Sequence, residues 1–419
     1  MKNPLKFYLK RLKKLEEKAA DLKKKSVNLS IFRFAVFLGT CFLVYLTFGT
    51  YPDVFIIAFL GVVLFAFLVV KHLDLKRKRN IVSKKIDINT TEIKVLHREF
   101  YHLKTGKEFI NSRHFYSNDI DLFGVGSFFQ YLNRTVTKDG KKELATLLTA
   151  NKTDEILAKQ EVVKELSKKT KWRQHFNAIA SLVTVKNTSN FITNWIVNYK
   201  QTLPNVLNIF TKVFSVISVL LIGLVSFGFL SFNYMLAWFF FGLFITGIFL
   251  KKTSKLYAET DKVRETFKQY YELLNEIENE EFTSEILLQK QKIITSEHKN
   301  ASTIFKKFAR ILDAFDQRNN IIIAVFGNGL FLSEIANAHK VEKWIATYKH
   351  TVKKWFEVVA FFDTQNALAN FHFNHPKFIF PEITTQKQII KATNLGHPLL
   401  NAEKRIDNNF TIDKAQFFI

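Results

Sequence analysis

The stretch IFRFAVFLGTCFLVYLTF (Ile31–Phe48), followed after a short turn by VFIIAFLGVVLFAFLVV (Val54–Val70), decides the architecture of this chain. The first run carries one charge, Arg33 near its start, and the second carries none. As helices rising 1.5 Å per residue, runs of about 20 residues cross a hydrocarbon layer of about 30 Å. The turn Gly49-Thr50-Tyr51-Pro52-Asp53 is too short for anything but an antiparallel pair. The same pattern returns as VFSVISVLLIGLVSFGF (Val213–Phe229) and YMLAWFFFGLFITGIFL (Tyr234–Leu250), joined around Ser231-Phe232-Asn233 and free of charge. All four runs are apolar on every face, which suits lipid better than the one-sided helices of a soluble core. A buried helical hairpin in a large soluble domain is the competing reading.

Lysine and arginine orient these spans. Lys10, Arg11, Lys13, Lys14, Lys23, Lys24 and Lys25 precede the first, and Lys71, Lys76, Arg77, Lys78 and Arg79 follow the second. Lys212 precedes the third, Lys251, Lys252 and Lys255 follow the fourth, and neither turn holds a Lys or Arg. The positive-inside bias then puts both termini and the middle segment on the cytoplasmic side of a multi-pass protein of the inner (plasma) membrane. The first run starts too late for a cleaved signal peptide, and a second span follows at once. Within residues 1–29, Leu5, Leu9, Leu12 and Leu15 share one helical face amid lysines, as in a surface-lying amphipathic helix or a solvated helix leading into the membrane.

Composition agrees with such segregation. The 419 residues are 47% hydrophobic yet 23% charged, so very apolar stretches lie beside very charged ones. A net charge of +24 favours a polyanion, either acidic lipid or nucleic acid, although lysine-rich flanks of membrane helices account for part of it. One cysteine, Cys41, rules out an internal disulfide and any Cys-based metal site. No span has a central charge of the kind that marks an ion path, which argues against a transporter.

Between and after the hairpins the pattern is helical. Ile86–Tyr101, Gly126–Asn133, Lys138–Leu148 and Glu155–Lys168 read as helices, the last capped by Asp154 or Thr153. Leu273, Leu274, Ile277, Phe282, Ile286 and Leu287 recur at helical spacing amid dense charge, as in long exposed helices, and residues 302–370 continue with a wider apolar face. After His375-Pro376 short β-type runs take over: Phe378–Phe380, Ile389-Ile390, Phe410–Ile412 and Phe417–Ile419. Ending on an apolar strand suggests a fragment.

Four motifs, in order over residues 114–419, resemble the MutS family. His114-Phe115-Tyr116 through Asp119-Ile120-Asp121-Leu122-Phe123-Gly124, Ser127 to Thr137, Gly140 and Leu144 resemble the opening of its helical core, where a Ser-Leu-x-x-x-Leu-x-x-Thr-x-Thr-x-x-Gly pattern stands. Glu155-Ile156 and Lys159 to Leu166 resemble the helix that follows. Phe362-Asp363-Thr364 with Leu368-Ala369-Asn370-Phe371 resembles the helix before the family's ATPase domain. Gly396-His397-Pro398-Leu399-Leu400 and Arg405-Ile406-Asp407-Asn408-Asn409-Phe410 resemble the His-Pro and Asn-Asp signatures leading to its nucleotide site.

The apolar runs and the resemblance together give the expected fold, mainly α: about four transmembrane helices in two hairpins read from the runs, and, as the resemblance implies, a MutS-like helical core and lever region and the first strands of an α/β ATPase domain. The chain then divides into a basic amphipathic helix (1–29), hairpin 1 (30–72), the first core part (80–205), hairpin 2 (213–250), lever and core helices (251–372) and the start of the ATPase domain (373–419). A strand at Ala415–Ile419 would run into a G-x-x-x-x-G-K-[S/T] phosphate loop, a pattern found nowhere in these residues. ATP and Mg²⁺ are therefore expected of a complete protein, with pairing through its ATPase domain, and no ATP hydrolysis of this chain alone. Adenine-side contacts fall to Arg405, where relatives place a stacking aromatic, Ile406 and Asn408, with Asn409 in place of the usual Asp; His397 and Pro398 carry the family signature. The Phe-x-Glu mismatch-reading motif is missing, so wedge-type mismatch recognition is not expected. Lys138, Lys141 and Lys142 are the candidates for holding DNA phosphates, or else form a solvated face near anionic lipid. No catalytic residue is assigned. A membrane scaffold built on a remnant MutS-like core is the alternative function.

Other constellations read as structural. His97 and His102 do not share a helical face, and neither they nor His372 and His375 belong to an H-E-x-x-H pattern, so no metal is expected. Asp119 and Asp121 fit a turn that caps a helix. Gly124-Val125-Gly126 lacks the third glycine of a dinucleotide loop and reads as a turn.

Overall fold

The computed structural model describes residues 3–150, 152–183, 185, 187–295, 299–384, 389–401 and 403–413. Within them the chain is mainly helical: α1 (Pro4–Leu46), α2 (Asp53–Leu96), α3 (Phe128–Leu132), α4 (Lys138–Thr149), α5 (Ile156–Lys168), α6 (Thr170–Ala180), α7 (Ser189–Asn198), α8 (Val206–Ser226), α9 (Phe232–Glu278), α10 (Glu285–Ile294), α11 (Ala301–Asp316), α12 (Ile321–Phe331), α13 (Ser333–Tyr348) and α14 (Val352–Asn374). Two short strands follow, β1 (Ile389–Leu395) and β2 (Asn408–Asp413). Among the described residues α1, α2, α8 and α9 are long and apolar enough to cross a membrane. None of the apolar window of α1 is buried by protein, and only 6% of that of α2 is, so these side chains do not form a soluble core.

The chain divides into two compact units, one of residues 1–134, 144–178 and 365–419, the other of residues 135–143 and 179–364. In the first unit, Asn3 caps α1 by accepting from the Lys6 amide at 3.2 Å, with Pro4 pre-set at the first helical position. The helix then runs 43 residues without a break, straight through the expected boundary at residue 30. Leu15 and Leu22 of α1 are buried against Val82 of α2, beside Ala19, Leu75 and Ile86. The basic N-terminal stretch is thus one arm of a long helical hairpin, with its leucine face turned to α2; Leu9, expected on that face, is 51% exposed.

Several expected limits move. Helix α2 stops at Leu96, with His97 as its C-cap, because Arg98 takes a left-handed conformation (φ 69°); Phe100 and Tyr101 fold back as a loop. Helix α3 is shorter than Gly126–Asn133, since the Ser127 hydroxyl accepts from the Gln130 amide and fixes the start, while Asp119 and Asp121 cap nothing there. Neither Asp154 nor Thr153 caps α5: Glu155 stands at that position with φ 54° and no side-chain cap bond. The first unit's core gathers Leu122, Phe123, Phe129, Leu132, Leu144, Ala145 and Ala367. Phe378–Phe380 is irregular rather than a strand, whereas Ile389-Ile390 and Phe410–Ile412 do pair, antiparallel, as β1 and β2. The expected strand at Phe417–Ile419 lies outside the described residues.

In the second unit α9 runs 47 residues from its apolar half into a soluble half. That half is not an exposed helix: Leu273, Leu274 and Ile277 are fully buried, with α11 and α13 closing over it and Phe356 of α14 edge-on to Tyr270. Its core is aromatic, with Phe267 edge-on to Phe305, Phe308 and Trp344, and Phe308 stacked on Trp344 at 3.8 Å. Helix α12, an apolar segment too short to stand out in the sequence, lies against the apolar halves of α8 and α9.

Candidate functional site

The start of α4 is held by a residue far away in sequence. The Asp363 carboxylate accepts from the Val136 amide at 3.0 Å and from the Thr137 amide and hydroxyl at 2.8 and 2.6 Å. Thr137 in turn accepts from the Gly140 amide at 2.9 Å, so it caps α4 while being capped itself. The Thr364 hydroxyl donates to the Gly140 carbonyl at 2.9 Å. A Cβ at residue 140 would overlap the Asp363 carboxylate, which explains a glycine in the first turn of α4. The motifs Thr135-Val136-Thr137 with Gly140 and Phe362-Asp363-Thr364 are therefore one structural joint within the second unit.

Two more carboxylates belong to α4 itself. Asp139 accepts from the Ser189 amide at 3.1 Å and from the Tyr270 hydroxyl at 2.7 Å. Burial first, then Asp363, Glu357 and Asp139, push the Glu143 carboxyl up to about 7 against the opposing pull of Lys290. Asp363 and Asp139 spend their lone pairs on backbone amides and hydroxyls, so they anchor rather than catalyse. On the other side of the helix Lys138, Lys141 and Lys142 stand at i, i+3 and i+4, with Lys138 and Lys142 exposed and Lys141 half-buried. Such a stripe can meet phosphate groups by charge.

The nucleotide-side candidates sit in the first unit on the β1–β2 ribbon. Arg405 holds Asp407 by two bonds of 2.5 and 3.1 Å and lies over the Phe378 ring at 5.6 Å. Its guanidinium is engaged before any ligand arrives. Ile406 is 82% exposed and presents a bare apolar side chain, and Asn408 pairs with Leu395 across the ribbon. His397 turns the chain, its Nδ1 accepting from the Leu399 amide at 3.4 Å; Pro398 follows, and the Gly396 backbone lies against the Arg405–Asp407 pair. The fold thus gathers His397, Pro398, Arg405 and Ile406 at one end of the ribbon.

Sequence reasoning missed a buried polar network in the first unit. Glu92 takes the Arg134 Nε at 2.5 Å and the Asn374 amide at 2.8 Å; the Tyr8 hydroxyl donates to Asn374 at 2.8 Å, and Arg173 to Asn370 at 3.0 Å. Burial, with Arg98 and Arg405 nearby, pushes the His375 imidazole down to about 4, and Tyr131 bonds it at 2.9 Å. Tyr131, Arg134 and Asn370 lie in family-like motifs, but their partners lie elsewhere in the sequence, Tyr8 362 positions from Asn370, so no local pattern exposes the network. Among the described residues no group of three or more His, Cys, Asp or Glu could hold a metal. Compared with known protein families, curated proteins and solved structures, the chain has no match.

Proposed function

We propose that this chain is the membrane-anchored part of a MutS-like protein that in complete form binds ATP with Mg²⁺ and acts on DNA. The observation that carries the reading is the joint of Asp363 with Thr137 and Gly140, which gives two separately resembling motifs a shared physical task. The helices α1, α2, α8 and α9 would anchor the protein in the inner membrane, with the lysine-bearing segments on the cytoplasmic side. An adenine ring would lie on Ile406 beside Asn408, while phosphate and Mg²⁺ would need a phosphate-binding loop, supplied by the ATPase domain of the complete protein. Pairing of two copies would follow from that same domain. Lys138, Lys141 and Lys142 would meet duplex DNA through its phosphates, giving affinity without sequence preference.

Duplex DNA binding by the whole chain in nanodiscs of zwitterionic lipid tests this. The reading expects affinity to fall steeply with salt, each phosphate contact adding about 0.9 to the slope of the log–log plot. Replacing Lys138, Lys141 and Lys142 by Gln would then lower the slope by about 2–3. Absence of DNA binding, with binding only to anionic vesicles, would replace this reading by that of a membrane scaffold.

A further inference from the structure

We infer that residues 317–333 form a re-entrant membrane segment, with α12 dipping into the acyl-chain region beside α9 and returning to the same side. The inference rests on the proposal that α8 and α9 lie in lipid and adds an element outside the four spans. Its basis is the track of contacts along α9. Ahead of α12, the Tyr257 hydroxyl donates to Asp316 at 2.6 Å and Arg318 donates to Ser254 at 2.8 Å. Within α12, the Phe326 ring meets Phe239 at 5.8 Å, and the Gly329 carbonyl lies so close to Gly242 that a Cβ there would overlap it. Just beyond α12, Glu334 is bonded to Thr253. The chain therefore climbs α9 from Tyr257 to Gly242, about 22 Å at 1.5 Å per residue, and comes back about 16 Å to Thr253.

Lys251 and Lys252 mark where α9 leaves its apolar run, and Gly242 lies about 15 Å above them, half the thickness of a hydrocarbon core. Arg318 and Glu334, the charges on either side of the excursion, form an ion pair at 3.1 Å, so both ends of the loop are pinned together at one level. No charged residue lies between them. The chain leaves α12 through an 85° bend at Leu332, whose φ is 49°.

The remaining polar groups are satisfied as lipid demands. Asn320 caps α12 by accepting from the Ile322 and Ile323 amides, and the buried Asn328 side chain accepts from the Ser333 hydroxyl and the Glu334 amide. The outer face carries Ile321, Ile322 and Phe326, 78%, 68% and 58% exposed. Phe240, Phe244 and Ile248 of the neighbouring α9 are exposed as well, and so much bare apolar surface on adjacent helices favours lipid as the occupant over a protein partner.

Nitroxide accessibility of the full chain in liposomes decides the matter. In a Cys41→Ser background, labels would be placed at Ile322→Cys and Phe326→Cys, with Phe244→Cys on α9 and Lys343→Cys on α13 as references. Expected at 322 and 326, as at 244, is several-fold more collision with oxygen than with a water-soluble nickel complex, and the reverse at 343. Nickel reaching 326 while 244 is shielded would overturn the inference and leave the spans standing. Oxygen and nickel both excluded from 326 would mean a protein cover and also overturn it. Nickel reaching 244 as well would bring down the membrane placement of α9 and the inference together. An impermeant maleimide must modify Asn320→Cys and Lys343→Cys from the same side of the vesicle; opposite sides would make α12 part of a crossing and refute re-entry.

Discussion

The two compact units each carry a pair of long apolar helices, but they root them by different means. The first pair, α1 and α2, meets within its apolar portion where Thr40 lies against Gly61 and where the Phe37 and Phe65 rings are 6.3 Å apart. Its grip is at the base, where Tyr8 and Glu92 join Arg134 and Asn374 in the buried polar network. The second pair is braced where it is most apolar, by α12 on α9 and by Trp238 stacked on Phe214 at 4.3 Å, and its base is the aromatic core around Phe267. Between helices in lipid no hydrophobic force acts, so close approach of small residues and hydrogen bonds must supply the attraction. By that measure the first pair is a stalk with an anchor, and the second is part of a folded body.

The largest effect that would separate these two designs is expected from Glu92→Gln. Removing the charge leaves Arg134 nearly buried without its ion-pair partner, a loss of about 3–5 kcal/mol in comparable cases. Hydrogen exchange should rise through the soluble arms of α1 and α2 and stay unchanged in α9–α11. Equal loosening in both units would show that they unfold together and that the two pairs are not rooted differently.

Next is Gly242→Leu, which drives a side chain into the Gly329 carbonyl and should cost about 1–3 kcal/mol or displace α12. Gly39→Leu in the first pair meets open space and should be silent in the same thermal-unfolding assay. If both variants behave alike, α12 does not brace α9.

This contrast also marks what the sequence could tell. Four long apolar runs announce their helices because length and uniform apolarity are local properties. The continuity of α1 and α2 through residues 30 and 72 was hidden, since composition changes there while the backbone does not. Helix α12 escaped because Ile321–Phe326 is far too short for a span, and its meaning depends on the path before and after it. The Asp363–Thr137 bond joins positions 226 apart, and only the pairing of two motifs by resemblance hinted at it. For the ribbon, the residue types were visible but not that Asp407 and Phe378 already occupy Arg405.

A smaller and opposite pair of effects comes from pH. His175 and His375 in the first unit fall from the ordinary 6.5 to about 4, mainly through burial. The unfolded chain protonates them first on acidification, so their contribution is full above 6.5 and is lost as pH drops toward 4. Glu143 in the second unit rises from 4.5 to about 7, so its neutral form favours folding below 4.5 and the benefit fades as pH climbs through 7. Between pH 5 and 7.5 the first unit should gain stability and the second lose on the order of 1–2 kcal/mol. Region-resolved exchange at the two pH values reads this, and Glu143→Gln should flatten the second profile alone.

The smallest expected effect tests whether the second pair is held by specific contacts at all. The Trp238 indole N–H donates to the Ser218 hydroxyl at 2.8 Å, and Ser218 also donates to the Phe214 carbonyl one turn earlier in α8. Trp238→Phe keeps an aromatic ring beside Phe214 and removes only the indole bond, for a cost of about 1 kcal/mol. Ser218→Ala removes the same bond from the other side and should cost about as much, so the double variant should be no worse than either single one. Additive losses would mean that the bond contributes nothing and that stacking alone joins α8 to α9. The second pair would then be held by ring packing and by the helices laid against it, without a hydrogen bond of its own.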